Sequence, residues 1–383
     1  MRTPDASRGR GGIGAALVSV LVVLLGVIGC GFQLPSPNYL SQPLVVAVRA
    51  EVLEFGVFPD RSASAEASLP AIVEVMPGDS VELEPVILDV DGLPFDPEGL
   101  DSIWFQCGFL SRCVSGSELA VDLDVPCDTL EDYDGGERCR LGEGDGRFRF
   151  EVPEIDAGYR GDTEYMGLYG VIAWDGQSAQ TCWERRVALD EAIEGCAFVE
   201  YELHYGPTWL LQIYADALGF DEVVHLEEIP GPALAQEPNR RPALSALSVR
   251  VDGEVWDFDA EQLAAASVGP VPAQPGSSIE IELSFDANLL AQQLIFVAQS
   301  VLIEAGEEEE EDVWAYVFEA DVESVFAQIY TSVDLHITEV TYLIGSSFEV
   351  FIDEGAGPGI SRAAIVIFDS RGGEEVLWVE FEV

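Results

Sequence analysis

Two short stretches carry the clearest fold signal in this sequence, Pro77–Glu84 (PGDSVELE) and Pro275–Glu282 (PGSSIEIE). In each, a turn begins with Pro-Gly and leads into a run in which apolar residues alternate with glutamates. Successive side chains of a β-strand point to opposite faces, so this alternation predicts a strand with one buried and one exposed face. The two stretches lie 198 residues apart and indicate an internal repeat.

A second pair of similar stretches lies near the end of each half. Val171–Gly176 (VIAWDG) matches Ile365–Ser370 (IVIFDS) at a spacing of 194 residues. We expect each to be followed by a strand that carries a tryptophan, Trp183 in the first half and Trp378 in the second. Two repeats at a similar spacing predict two copies of one β-fold, and short alternating runs between turns favour a sandwich or a barrel.

Four further segments have a readable pattern. Alternation over Leu377–Val383 predicts a strand whose Trp378 faces outward, and Thr208–Leu218 has the apolar spacing and capping residue of a helix. Asp286–Ile303 fits a helix or a strand. The acidic run Glu307–Asp312 lies between apolar stretches, which predicts the tip of a β-hairpin whose charges discourage pairing between sheet edges.

A proline-rich stretch, residues 228–244, separates the two halves and predicts a domain boundary. Within it, Asn239–Pro242 (NRRP) resembles the segment that opens many bacterial immunoglobulin-like, cadherin-like and polycystic-kidney-disease-like modules. The resemblance implies an all-β chain with two immunoglobulin-like β-sandwich domains, residues 43–200 and 243–383, separated by a helical segment and linker at residues 201–242. It departs from antibody-type domains, because the second half contains no cysteine.

The net charge of the chain limits the classes of molecule that it can bind. The formal net charge is −52, and all 18 basic residues are arginines, since the sequence contains no lysine. Such a field repels phosphate backbones, which argues against nucleic-acid binding. The excess acid either keeps the protein soluble or attracts multivalent cations.

The first 30 residues resemble the signal peptide of a bacterial lipoprotein. Arg2, Arg8 and Arg10 precede the apolar run Ile13–Ile28, which is too short for a typical membrane-spanning helix. The run ends in Val27-Ile28-Gly29-Cys30, which resembles a lipobox. The resemblance implies removal of residues 1–29, lipid on Cys30, a tether over residues 30–42, and an outer-membrane location on the periplasmic face or the cell surface, because Gly31 replaces the aspartate of the inner-membrane retention signal.

If Cys30 is lipidated, an even number of cysteines remains, which suits three disulfides in an oxidising compartment. Six cysteines allow 15 connectivities. We favour local pairing because each pair is then close in sequence: Cys107–Cys113, Cys127–Cys139 and Cys182–Cys196.

No catalytic motif stands out. The three histidines are scattered, neither H-E-x-x-H nor G-x-S-x-G occurs, and the absence of lysine removes Schiff-base chemistry. The sequence therefore predicts a non-enzymatic interaction or adhesion module that binds an unknown protein or glycan, with an envelope enzyme as a remote alternative.

One segment could bind a metal. If Cys127 pairs with Cys139, the enclosed loop holds five carboxylates, and Ca²⁺ takes six to eight oxygen ligands. The alternative is a solvated acidic loop, since charge runs usually face water. The candidate calcium ligands are Asp128, Glu131, Asp132, Asp134 and Glu137. A weaker candidate is the Asp-x-Asp-Gly turn at Asp89–Gly92, with Asp96 and Glu98 nearby.

Overall fold

A computed structural model gives the fold of the chain, and residues 39–383 form one compact unit in it. The structure describes residues 40, 42–56, 70–109, 125–130, 138–154, 165–187, 193–207, 210, 237–285, 294–303, 313–322, 325–332, 334–340, 347–369 and 371–383. Among these residues, no helix is long and apolar enough to cross a membrane.

The first half is a sandwich of seven strands. One sheet has the order β1-β2-β5 and the other β4-β3-β6-β7, with antiparallel pairing throughout. The strands are β1 (Leu44–Glu54), β2 (Ser80–Leu88), β3 (Asp101–Phe109), β4 (Cys139–Asp145), β5 (Phe148–Glu151), β6 (Tyr165–Ala173) and β7 (Cys196–His204). A helix, α1 (Ala179–Val187), connects β6 to β7.

The second half is also a sandwich, with sheets ordered β10-β18-β17-β14 and β15-β16-β11-β8-β9. Strand β10 runs parallel to β18, and the other pairs are antiparallel. The elements are β8 (Leu244–Val251), β9 (Glu254–Asp259), α2 (Ala260–Leu263), β10 (Ser267–Pro272), β11 (Ser278–Phe285), β12 (Leu294–Ile303), β13 (Val313–Val322), β14 (Val325–Thr331), β15 (Leu335–Val340), β16 (Ser347–Ile352), β17 (Ile360–Asp369) and β18 (Glu374–Glu382). Two sheets of mainly antiparallel strands around one core in each half confirm the predicted immunoglobulin-like all-β fold.

The sequence repeats mark equivalent strands. The first repeat falls on β2 and β11, each in the middle of its sheet, with Val81 and Leu83 or Ile279 and Ile281 buried. The second repeat falls on β6 and β17, which are also central strands. Alternation thus predicted the faces correctly, because a central strand has no freedom to slip its register without exposing its apolar face.

One expected strand is a helix instead. Trp183 lies in α1, where Ala179, Cys182 and Trp183 share a buried face at helical spacing. The Ser178 hydroxyl accepts the Thr181 N–H at 3.1 Å and caps the helix. The prediction of a tryptophan-bearing strand after the second repeat is therefore right for Trp378 in β18 and wrong for Trp183.

Strands β12 and β13 form a separate two-stranded hairpin, in register from Leu294↔Val322 to Ile303↔Val313. This confirms the predicted hairpin and shows that residues 294–303 form a strand. The acidic run Glu307–Asp312, residues 286–293 and most of Thr208–Leu218 lie outside the described residues. Within that last segment Leu210 is helical and buried.

Two of the predicted disulfides are present, Cys127–Cys139 and Cys182–Cys196. Cys107 is also disulfide-bonded, but the predicted partner Cys113 lies outside the described residues. The two pairs close loops with sequence separations of 12 and 14 residues. Loops of this size are expected to stabilise the fold by about 3 kcal/mol each through loss of freedom in the unfolded chain.

The two sandwiches share an apolar core in addition to their own. Val46, Ala47, Val86 and Leu88 of the first pack against residues of β14, β17 and β18 of the second. Trp378 belongs to this shared core and is only 8% exposed. The predicted exposure of Trp378 is wrong, although its strand face is right, because the first sandwich covers the face that alternation identified as outward.

Candidate functional site

The most elaborate polar arrangement lies where the β17–β18 loop meets the first sandwich. The Tyr201 hydroxyl of β7 donates to the Gly372 carbonyl at 2.7 Å. Gly372 has φ +80°, and a Cβ there would lie 2.9 Å from the Glu202 carbonyl oxygen and 2.8 Å from the His204 ring. A side chain at this position would therefore clash with β7, which explains the glycine.

A buried ion pair anchors this loop. Arg371 Nη1 lies 2.9 Å from Glu74 Oε1, and both side chains are almost wholly shielded from water. The other Glu74 oxygen, Oε2, accepts the Asn239 backbone N–H at 2.9 Å. Because both carboxylate oxygens have donors, the charge of Glu74 is compensated. We call this buried contact between the two sandwiches, formed around Glu74 and Arg371, the junction.

Asn239 and Asp369 complete the network. The Asn239 side-chain amide donates to both Asp369 oxygens at 3.1 Å, and the amide oxygen accepts from Arg371 Nη2 at 3.3 Å. Asp369 Oδ1 also accepts the backbone N–H groups of Arg371 and Gly373, each at 2.9 Å. The segment predicted to open the second domain is thus part of the contact between the two sandwiches.

Burial shifts the pKa values of the junction groups. It raises the pKa of Glu74, although Arg371 opposes the shift, and it raises the pKa of Asp369. Burial, reinforced by Arg371, lowers the pKa of His204 to about 4. His204 is therefore neutral at pH 7, and an arginine supplies the buried positive charge.

Glu374 begins β18 and faces β1. Its Oε2 accepts the Val48 N–H at 2.5 Å. Part of the residue remains exposed, yet burial of its carboxyl group and the nearby charge of Asp369 raise its pKa to about 7. The carboxyl groups of Glu74, Asp369 and Glu374 thus all hold protons more tightly in the folded chain than in the unfolded chain.

Glu374→Gln should flatten the dependence of stability on pH. A raised folded pKa makes the Glu374 contribution largest below about pH 4.5 and progressively lost as pH rises to about 7. His204 acts oppositely, since its lowered pKa removes stability as pH falls from about 6.5 to about 4. Because His204 is present in both proteins, the difference between the variant and the unmodified protein gives the contribution of Glu374 alone. Urea unfolding should show the variant more stable by about 1–2 kcal/mol at pH 8, discounted for partial exposure, and equal at pH 4.

A cleft lies elsewhere on the first sandwich, where β1 begins and β7 begins. Its volume is about 680 Å³. Trp174, Ile193 and Gly195 are its buried members, whereas Leu44 and Val90 are 40% and 41% exposed. Asp175, Arg186 and Glu194 add charged groups to the lining. A concave surface with apolar and charged groups can bind a ligand. None of the residues that line the cleft belongs to a catalytic motif in the sequence.

The structure describes only one of the five predicted calcium ligands. Asp128 lies in a 3₁₀ turn, Cys127–Thr129, and faces solvent. Glu131, Asp132, Asp134 and Glu137 lie outside the described residues, as does Cys30. Within the described part of the chain, no group of three or more His, Cys, Asp or Glu side chains is placed to hold a metal ion.

The weaker acidic candidate is a turn. The Asp89 Oδ1 atom accepts the N–H groups of Asp91 and Leu93 at 2.9 and 2.8 Å. The Asp96 Oδ1 atom accepts the Glu98 N–H at 3.0 Å and caps a short 3₁₀ helix. These carboxylates are used by the local backbone, as is usual for aspartates in turns.

Sequence reasoning missed the junction. Glu74 and Arg371 are 297 positions apart, and nothing in their neighbouring residues distinguishes them from the many exposed charges. The signal that could have drawn attention was the NRRP segment, whose Asn239 joins both halves. The cleft was missed because it is formed by strand edges, which alternation does not identify.

Comparison with known proteins does not assign a family. No protein-family model matches the sequence, and no curated protein matches it either.

Solved structures give only distant similarity. Latent PorU from Porphyromonas gingivalis is 9% identical, with a TM-score of 0.18, over 88% of this chain and 24% of that one. Invasin, a bacterial integrin-binding protein, is 9% identical, with a TM-score of 0.14, over 88% and 39%. The human desmocollin-1 ectodomain is 9% identical, with a TM-score of 0.16, over 87% and 58%. The chain thus spans between about a quarter and three fifths of these proteins' lengths.

Proposed function

We propose that this chain is a non-enzymatic cell-envelope lipoprotein that acts as an interaction or adhesion module. In this proposal, lipid on Cys30 holds it to the outer membrane, at the periplasmic face or the cell surface, and its partner is a protein or a glycan. The observation that carries the proposal is the fusion of two immunoglobulin-like sandwiches through a shared apolar core and a buried polar junction. Two sandwiches joined in this way hold their binding surfaces in a fixed orientation relative to each other.

The attachment point of the tether supports this arrangement. Leu40 is 2% exposed within the shared core, and its N–H donates to the Thr331 carbonyl at 3.2 Å. The chain therefore enters the folded part of the protein at the apolar core that the two sandwiches share. The nine residues between Cys30 and Leu40 can span at most about 35 Å, which sets the longest distance between Leu40 and a lipid on Cys30.

Cys30→Ser tests the anchor. Without the sulfur that accepts the lipid, we expect the protein to leave the membrane fraction and to appear in the soluble fraction. Immunoblotting of separated fractions measures the distribution, and the thermal melt of the purified variant serves as the control for folding. Membrane retention equal to that of the unmodified protein would contradict lipid anchoring.

A second candidate function is a calcium-dependent or calcium-stabilised surface module. The observation that favours it is the Cys127–Cys139 disulfide, which closes the loop that carries the five candidate ligands. Enclosing several carboxylates in one loop raises their mutual repulsion, which a bound Ca²⁺ would relieve.

Calcium should raise the melting temperature if this loop binds it. At a hundredfold excess over Kd, binding to the folded chain adds about 2.7 kcal/mol. Thermal melts in EDTA, calcium and magnesium measure the effect, and Asp128→Asn combined with Asp132→Asn and Asp134→Asn should abolish a calcium-selective shift. Equal melting temperatures in EDTA and calcium would contradict calcium binding.

A further inference from the structure

We propose that the outer edge of β7 binds an extended basic peptide segment of a partner protein, which adds to the sheet as a further strand. The inference rests on the proposed role as an interaction module and names the class of its partner. It follows from the hydrogen-bond pattern of β7, the cleft beside it and the charges on the rim of the cleft.

The pairing of β7 with β6 fixes which backbone groups point outward. The Trp174 N–H donates to the Gly195 carbonyl, so residue 195 faces β6. In an antiparallel pair, residues alternate between facing the partner strand and facing away from it. Phe198, Glu200 and Glu202 therefore direct their N–H and C=O groups away from β6, towards the open edge.

The far end of this edge is already occupied. The His204 carbonyl accepts the Val75 N–H at 2.9 Å, and the Gly372 backbone lies against the Glu202 carbonyl. Among the described residues, no other strand pairs with the edge at Phe198 and Glu200. These two residues offer a short ladder of unpaired groups of the kind to which peptides add.

The edge of β1, in the other sheet, does not offer the same site. Its outward groups at Val48, Ala50 and Val52 bond to Glu374, Arg241 and Ile72, respectively. Of the edges of β1 and β7, the open one is thus the first half of β7, which no strand in the described part of the chain covers.

The 680 Å³ cleft lies alongside this half of β7 and can accept side chains of an added strand. Cys196, Ala197 and Phe198 line it together with Leu44 and Val45 of β1. Below them, Ala197 and Val45 pack with buried Trp174. An added strand would place alternate side chains towards this apolar lining and the others towards water.

The charges of the cleft favour a basic occupant. Asp175 and Glu194 are exposed on its lining and have no ion pair among the described residues, and Glu200 is exposed on the strand itself. The cation of the cleft, Arg186, lies 5.4 Å above the Phe198 ring and hydrogen bonds to Tyr169. Arg186 is therefore engaged by its neighbours, whereas the carboxylates are open to lysine or arginine on a partner.

The test uses the full-length protein purified in detergent and a seven-residue peptide in which valine and lysine alternate. Isothermal titration measures its affinity, with a valine–glutamate peptide of equal length as a control. Glu200→Pro removes the outward N–H without touching the β6 ladder, and Glu200→Ala removes only the carboxylate. We expect Glu200→Pro to bind the basic peptide at least about tenfold more weakly than Glu200→Ala, and the acidic peptide not to bind.

Amide hydrogen exchange supplies a readout that is independent of the variants. In the unmodified protein, the basic peptide should slow exchange at the Phe198 and Glu200 amides. Absence of basic-peptide binding, equal affinities of the two variants, or unchanged exchange at these amides would overturn the strand-addition proposal. None of these results depends on the lipid, so membrane fractionation of Cys30→Ser tests the anchored-module proposal separately.

Discussion

Arg371→Met should lower the free energy of unfolding by about 3–5 kcal/mol, because it leaves the buried Glu74 carboxylate without its cation. The Arg371–Glu74 pair is almost wholly shielded, and Arg371 also donates to Asn239. Urea unfolding at pH 7 measures the loss. Addition of Glu74→Gln should restore part of the stability, since the amide oxygen can still accept the Asn239 N–H and the buried charge of Glu74 is removed.

The matched control is an ion pair at the surface. Arg250 and Glu280 also form a pair between neighbouring elements, but their side chains are 46% and 43% exposed. Arg250→Met should cost no more than about 1 kcal/mol, since water already screens this pair. Equal losses for Arg371→Met and Arg250→Met would show that the junction pair is not buried as described.

Trp378→Ala should destabilise the chain by about 3–5 kcal/mol, because it opens a cavity in the core that the two sandwiches share. The ring packs with residues of both halves, and the Arg49 guanidinium lies 5.9 Å from its centre. Urea unfolding should show the loss. Differential scanning calorimetry should also show weaker coupling between the halves as a broader transition.

Trp256→Ala provides the comparison. Trp256 lies on the edge strand β9, is only partly buried and packs against the core of the second sandwich alone. Trp256→Ala should lower the free energy of unfolding clearly less than Trp378→Ala does, and it should leave the coupling between the halves intact. A Trp378→Ala protein as stable as Trp256→Ala would mean that the first sandwich does not cover β18.

The fold could be predicted because its signals are local. The alternation in β2 and β11 and the turn residues before them report strand faces directly. The spacing of the cysteines likewise favoured the two disulfides that the structure describes. The sequence pattern does not predict helix α1, because its short amphipathic stretch lies within an otherwise β-rich region. Trp183 is therefore expected in a strand.

The junction and the cleft could not be predicted because long-range packing creates them. Trp378 shows the difficulty: alternation assigns its face, but only the position of the other sandwich decides whether that face meets water. Glu74 is one of 70 acidic residues, and its burial depends on Arg371 in the other half of the chain. The open edge of β7 depends on sheet order, which the sequence does not state.

The intact mass of the protein isolated from its own membrane shows whether the two sandwiches are carried on a lipidated cysteine. We expect a chain that begins at Cys30 and carries a diacylglyceryl group on the cysteine sulfur. A chain that retains residues 1–29, or one in which Cys30 is unmodified, would contradict it.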